Sequence, residues 1–256
     1  MKAVTVRSGL VESAHEWTAV LVANDAVQRT WGEGFARMQF ARSTIKPFQA
    51  TISQTLGADL APEQMAVACA SHSATPAQVA LVADLLETAD FLVDDLRCPP
   101  SLPHGEHSRR RWLAAGRSEQ RIAHNCSGKH AAFLRACRSQ GWDHTTYLDP
   151  LHPLQRRVLE TVGELTGERP TPVGVDGCGA PTPRLSLAGL ARAFAKLSST
   201  TEFVEAATAM ARYPALTASN TRADGRLAMW WAGPVKIGAE GLIAIGRAGW
   251  GLAAKS

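Results

Sequence analysis

The sequence lacks a long apolar run, an apolar leader and a strong excess of charge of one sign. No stretch approaches the roughly 18 apolar residues of a membrane span, and residues 1–7 lack the apolar centre of a signal peptide. Lys plus Arg total 27 against 23 Asp plus Glu, and the resulting +4 is too small and too scattered to indicate nucleic acid or an anionic membrane. The three arginines at 109–111 are typical of a solvated helix face. We therefore expect a cytoplasmic protein without nucleic-acid or membrane partners.

Cysteine is present in an odd number. The five cysteines are spread widely, which favours free thiols or metal ligands over a disulfide framework. With 45% hydrophobic and 20% charged residues, the 256-residue chain has ample material for a core. No internal repeat or low-complexity linker marks a boundary, so residues 1–256 are expected to form one unit, either a single body or two lobes.

Short β-branched runs occur at both ends of the chain, and helical patterns lie between them. Residues 75–78 form a capping box with Pro76 at the first helical position, which predicts a helix. Ser127 is expected to cap a helix that ends near Gly141. The order predicts an α+β fold, with helices packed on a mainly antiparallel sheet made from N- and C-terminal strands. Strands are predicted at residues 3–6, 18–22, 235–237, 242–245 and 251–254, and further helices at 154–165, 187–197 and 201–213.

The segment Ser43-Thr-Ile-Lys46 can carry acyl-transfer chemistry. Spacing of i,i+3 puts its serine and its lysine on one helix face, where a neutral lysine can take the proton of the serine. Pro47 is tolerated only in the first turn of a helix, so the helix is expected to begin near Ser43, where main-chain N–H groups favour an oxyanion. The alternative is a serine that caps the helix and a solvated lysine.

A second cation would help Lys46 to act as a base. Its pKa must fall far below the ordinary lysine value, and both burial and a neighbouring positive charge lower it. Lys236, in a β-run, is the candidate for that charge, and Ser71 is the candidate for a proton relay. Taken alone, Lys236 also fits an edge-strand lysine that discourages aggregation.

Two cysteines lie in tightly turned segments. Cys126 precedes a predicted helix start, with Lys129 and His130 one turn on, and Cys178 lies in a Gly/Pro-rich loop. At the start of a helix and close to Lys129 and His130, the thiol of Cys126 should have a lowered pKa, and the resulting thiolate favours a soft metal such as zinc. The alternative is a pair of buried thiols.

Six ordered motifs resemble those of the rhizobial-type, or class 3, L-asparaginases. They lie at residues 9–15, 41–49, 69–73, 125–130, 175–183 and 236–239. The resemblance implies an L-asparagine amidohydrolase on a fold similar to that of serine β-lactamases, penicillin-binding proteins and serine-dependent glutaminases.

The resemblance also implies the site residues and a homodimer. Two serine–lysine pairs would face each other, Ser43 with Lys46 and Ser71 with Lys236, and Ser43 would be the nucleophile. One zinc per chain would tune substrate binding more than chemistry. The implied zinc ligands are Cys126, Lys129 and Cys178, and the implied substrate contacts are Arg42, His130 and Asp176.

The sequence departs from the family pattern in two places. Residues 219–224 lack an expected glycine-rich loop before Arg222, and relatives continue past the last strand with a further helix, so we expect a shortened member. Two alternatives stay open. One is a glutaminase or another serine acyl-transfer enzyme on the same scaffold, and the other is a truncated amino-acid-binding homologue without turnover.

Overall fold

A computed structural model of the chain describes residues 1–218 and 222–256. The predicted departure at residues 219–221 lies outside the described residues. The strands are β1 (Lys2–Arg7), β2 (Leu10–Glu16), β3 (Thr18–Ala23), β4 (Ala26–Trp31), β5 (Gln39–Phe40), β6 (Val173–Val175), β7 (Pro181–Leu185), β8 (Val235–Ile237), β9 (Leu242–Arg247) and β10 (Trp250–Lys255). The helices are α1 (Lys46–Thr55), α2 (Pro62–Cys69), α3 (Pro76–Glu87), α4 (Glu106–Ala114), α5 (Ser127–Gln140), α6 (Pro153–Thr166), α7 (Leu187–Leu197), α8 (Val204–Arg212), α9 (Pro214–Thr217) and α10 (Ala223–Trp231).

The main sheet combines both ends of the chain. Its five antiparallel strands follow the order β4-β3-β10-β9-β8, which confirms the predicted α+β fold and its sheet of terminal strands. Helix α7 packs directly on β10. The two backbones are so close at Gly251 that an added Cβ would lie 1.8 Å from the carbonyl oxygen of Ala191. Strand β8, which carries Lys236, is at one edge of the sheet.

The first predicted strand lies elsewhere. β1 pairs with β2 in a separate two-stranded hairpin, so residues 3–6 do not join the terminal strands. Both faces of this hairpin are largely exposed, with Val6 at 58% and Leu10 at 75%. An alternating apolar run is compatible with either position, which is why the sequence pattern alone did not separate them.

The helix predictions agree with the structure, with one correction. Thr75 accepts a hydrogen bond from the Gln78 main chain, as its capping box predicts, and α5 ends at Gly141 in a left-handed conformation. Ser127 does not cap α5: it is the first residue of the helix, Cys126 is the cap residue, and the Ser127 hydroxyl donates to the Ile122 carbonyl. The Ile122 carbonyl thus holds the hydroxyl in place of the main-chain N–H groups that a capping serine would contact.

Three helices bring the functional segments together. Phe48 on α1 packs edge-on against Phe194 of α7 at 5.6 Å and Phe203 at 6.0 Å between ring centroids. Helix α5 crosses α2 closely, because a Cβ at Gly128 would lie 2.5 Å from the carbonyl oxygen of Val67. The start of α1, the end of α2 and the start of α5 therefore lie side by side.

None of the helices in the described ranges has the length and apolar character needed to cross a bilayer.

Candidate active site

Ser43 and Lys46 lie where the chain enters α1. A 3₁₀ turn, Arg42–Ile45, leads into the helix, and Pro47 is in its first turn, so the predicted helix start near Ser43 is confirmed. Lys46 is only 1% exposed, whereas Ser43 is half-buried on a cavity wall. The serine can therefore be reached from the cavity, while the lysine lies buried behind the cavity wall.

The amine of Lys46 contacts three oxygens. Its Nζ lies 2.7 Å from the Ala70 carbonyl oxygen, 3.2 Å from that of Asn125 and 3.1 Å from Ser71 Oγ. Two of these partners are carbonyl oxygens, which only accept hydrogen bonds, so the amine donates to both of them. Within residues 1–218 and 222–256, no hydrogen bond joins Lys46 to Ser43, although the sequence pairs them.

A second lysine reaches the same hydroxyl. Lys236 Nζ lies 2.9 Å from Ser71 Oγ and 2.8 Å from the carbonyl oxygen of Ile237, and the side chain is 2% exposed. Burial, and then the charge of Lys46, hold the pKa of Lys236 well below its ordinary value. The hydroxyl of Ser71 thus lies between two buried amines. The sequence led us to expect the lowered pKa at Lys46, and the structure shows a lowered pKa at Lys236.

A cavity of 320 Å³ connects these groups with the rest of the site. Ser43 and Ser71 both line it, together with the wall residues Arg42, Cys126, Asp176 and Cys178. Gly238 lets the end of β8 approach the start of α1, because a Cβ there would lie 3.2 Å from the Thr44 side chain. Most of the predicted site residues therefore surround one small space.

Arg42 and Asp176 form an ion pair at this wall. Arg42 Nε donates to Asp176 Oδ1 at 2.7 Å, and the same oxygen accepts the Gly177 main-chain N–H at 2.8 Å. The side chains are 30% and 13% exposed, so both remain open to the cavity. A cation and a carboxylate side by side are suited to the two charges of an α-amino acid.

A second arginine–aspartate pair was not predicted as part of the site. Arg222 lines the cavity and donates from Nε and Nη2 to the two carboxylate oxygens of Asp224, at 3.0 and 2.8 Å. Asp224 is 4% exposed and fixes the guanidinium, whose Nη2 is also 3.4 Å from the Ser71 carbonyl oxygen. In the sequence, this pair was noted only as the end of the segment at residues 219–224 that departs from the family pattern.

Three further cavity residues were also not predicted. His104, His124 and Asn125 line the wall beside Ser71. Burial lowers the pKa of His124 to about 4, and its Nδ1 accepts the Cys126 main-chain N–H at 3.0 Å. Asn125 belongs to a motif noted in the sequence, but isolated histidines give no pattern that could identify them.

His130 lies behind the wall rather than in the cavity. Its Nδ1 is 2.7 Å from the hydroxyl of Tyr147, which also accepts the Arg97 main-chain N–H, so the hydroxyl donates its proton to the ring. The remaining nitrogen, Nε2, is buried without a hydrogen-bond partner among the described residues. Burial lowers the pKa of His130 to about 4. His130 is therefore placed to support the cysteine wall, not to contact substrate directly.

Two sulfurs and an amine converge on the same wall. Lys129 Nζ lies 3.2 Å from Cys178 Sγ, and Lys129, Cys126 and Cys178 are 2%, 4% and 2% exposed. A hydrogen bond with Cys126 and, against the effect of burial, the charge of Lys129 hold the pKa of Cys178 far below its ordinary value. A buried thiolate beside a second thiol and an amine is a donor set that fits zinc. In the described part of the chain, no group of three His, Cys, Asp or Glu side chains could hold a metal, and this set contains only two such residues, both cysteines.

The comparison with known families decides the identity of the chain. The sequence pattern of the family described as L-asparaginase II matches residues 3–256. The chain belongs to the L-asparaginase II family. Among curated proteins, none matches it. As a member of this family it is a hydrolase that acts on the side-chain amide of asparagine, a small-molecule substrate, and the resemblance seen in the sequence is confirmed.

Proposed function

We propose that this L-asparaginase II family member hydrolyses L-asparagine to aspartate and ammonia by serine–lysine catalysis. The observation that carries the proposal is the hydroxyl of Ser71, held between two buried amines at 3.1 and 2.9 Å on the wall of a cavity that Ser43 also lines. Such a hydroxyl can transfer a proton from one amine to the other. Ser43, half-buried on the same wall, is the hydroxyl that substrate can reach.

The first step is a shift of one proton. Ser71 takes a proton from Lys46 while it gives its own to Lys236, which leaves Lys46 neutral. Ser43 then attacks the carboxamide carbon, its proton passes to Lys46, and main-chain N–H groups at the start of α1 hold the oxyanion. The Ser43–Lys46 hydrogen bond forms as substrate fills the cavity, since catalytic contacts commonly tighten on binding.

The second half returns the protons. Lys236 gives its proton through Ser71 to the departing nitrogen, which leaves as ammonia, and the lysines regain their starting charges. Water then attacks the Ser43 ester by the same route and releases aspartate. Arg42 and Asp176 are proposed to bind the carboxylate and the amine of the substrate, because they line the cavity with opposite charges.

Ammonia release tests this proposal. Ser43→Ala should lower kcat for L-asparagine by about a thousandfold or more, because the nucleophile is lost. Ser71→Ala should lower kcat with little change in KM. Ser118→Ala, at an exposed serine away from the cavity, is the matched control and should behave as the wild type. Near-normal turnover by the Ser43 variant would refute the nucleophile, and faster hydrolysis of L-glutamine than of L-asparagine would favour the glutaminase alternative.

We also propose that Cys126, Lys129 and Cys178 hold one zinc ion. The support is the donor chemistry and burial of this set; zinc binding would require Lys129 to lose its proton. When bound, the metal would supply positive charge at the cavity wall and strengthen substrate binding. Elemental analysis should find about one zinc per chain in protein purified without chelator. Cys178→Ser should lose it, and Cys137→Ser, at a buried thiol outside the set, should retain it.

We also propose a location and an assembly state for the protein. All five cysteines lie in the described ranges and are unpaired, which supports a reducing, cytoplasmic location. A homodimer follows from the family resemblance. Light scattering on the purified protein measures it, and a monomeric mass at working concentration would contradict it.

A further inference from the structure

A second cavity adjoins the active-site cavity. It has a volume of 430 Å³, and we name it the outer recess, lined by Ser101, His104, Arg109, Glu119, His124 and Asn125 together with one leucine. Three of these residues, His104, His124 and Asn125, also line the active-site cavity. The two spaces therefore share a wall, and the outer recess extends the site beyond what asparagine itself would fill.

The shared wall lies beside the groups that would protonate the leaving nitrogen. The carbonyl oxygen of Asn125 is 3.2 Å from Lys46 Nζ, and the same amine is 3.1 Å from Ser71 Oγ. A departing nitrogen has to approach Ser71 to receive its proton. A substituent on that nitrogen would then pass Asn125 and enter the outer recess.

The charges of the outer recess indicate what the substituent should be. Arg109 on α4 donates from Nε to the Pro103 carbonyl at 3.1 Å, which orients the guanidinium, and its terminal nitrogens make no hydrogen bond to residues 1–218 or 222–256, so they can bind a carboxylate. Glu119, an exposed residue, also lines the recess, so a doubly acidic group would be opposed by its charge. A short substituent that ends in a single carboxylate fits best. Arg109 can therefore bind a carboxylate in the outer recess, in addition to lying on the solvated face of α4.

We propose that the enzyme also hydrolyses β-aspartyl amides whose nitrogen carries a short carboxylate-ended substituent, with β-aspartylglycine as the simplest example. The inference rests on the proposed function, since the same Ser43 chemistry breaks the bond between the side-chain carbonyl carbon and the nitrogen. Glycine leaves with the proton that ammonia would take, and water releases aspartate. Arg109 binds the substituent and is a specificity-determining residue.

The test compares three substrates and two variants. Wild-type protein is assayed with L-asparagine, β-aspartylglycine and N4-methyl-L-asparagine, whose substituent has no carboxylate. Arg109→Gln should lower kcat/KM for β-aspartylglycine about tenfold, the size of one charge-assisted contact at an exposed site, and leave the other two substrates unchanged. Arg110→Gln is the matched control, because Arg110 is exposed on the same helix and pairs with Glu106.

Each outcome has one meaning. Release of ammonia from L-asparagine without any release of glycine from β-aspartylglycine would overturn this inference and leave the proposed function standing. Failure with all substrates would overturn both. Cleavage of β-aspartylglycine that Arg109→Gln and Arg110→Gln affect equally would overturn the role of Arg109. Selective loss in the Arg109 variant alone supports the inference.

Discussion

Replacing Lys236 by methionine should change how stability depends on pH. Burial, and then the charge of Lys46, hold the pKa of Lys236 well below its ordinary value, so at any pH between these two pKa values the folded protein holds the amine neutral while the unfolded chain protonates it. Stability rises with pH wherever the unfolded state binds more protons. Lys236 therefore destabilises the folded protein, most at low pH, and this cost shrinks by about 1.4 kcal/mol per pH unit from its folded pKa up to about pH 10.4.

Urea unfolding of both proteins at several pH values measures this effect. Methionine has a similar length and no proton to bind, so its stability advantage over Lys236 should decrease by about 1.4 kcal/mol for each unit that the pH is raised within that window. Lys2→Met is the control, because Lys2 has a 65% exposed side chain, and its stability should run parallel to the wild type. A constant gap between the Lys236 variant and the wild type would refute the neutral amine.

Three other predictions concern packing and the site. Phe48→Ala should lower the free energy of unfolding by about 3–5 kcal/mol, measured in urea, because its ring is 1% exposed between two other aromatic rings; a loss below about 1 kcal/mol would contradict its packing role. Gly251→Ala should lower Tm, since the added Cβ would lie 1.8 Å from the Ala191 carbonyl oxygen, and an unchanged Tm would contradict that close approach. Arg222→Lys should raise KM for asparagine, because lysine cannot make both bonds to Asp224 and so cannot hold a cation in the same place; an unaltered KM in steady-state kinetics would show that this arginine does not help to bind the substrate.

Local signals in the sequence predicted much of the fold. Pro47 located the start of α1, the capping box at Thr75 located α3, and the β-branched runs near both termini predicted a shared sheet. These features act over a few residues, so they can be read without the tertiary structure. The position of β1 in a separate hairpin depended on which neighbour it meets, and an alternating pattern does not determine that.

The candidate site was predicted residue by residue but not in its connections. The motifs identified both serines and both lysines, yet only the packing of α1, α2 and β8 brings Lys46 and Lys236 to the same hydroxyl of Ser71. Which of the two amines is neutral depends on burial and hydrogen-bond partners, which spacing along the chain does not give. Arg222 and His124 also line the cavity, although the sequence did not assign them to the site.

The central claim is that Ser43 attacks the asparagine side chain while Ser71 carries protons between the two lysines. Its most direct test is peptide mapping by mass spectrometry after treatment with the diazoketone analogue of L-asparagine, which alkylates an activated nucleophile in an amidohydrolase site. The account predicts one adduct, on Ser43, with protection by L-asparagine and no labelling of Ser43→Ala. Labelling of Ser71 instead, or no labelled serine in protein that releases ammonia, would contradict it.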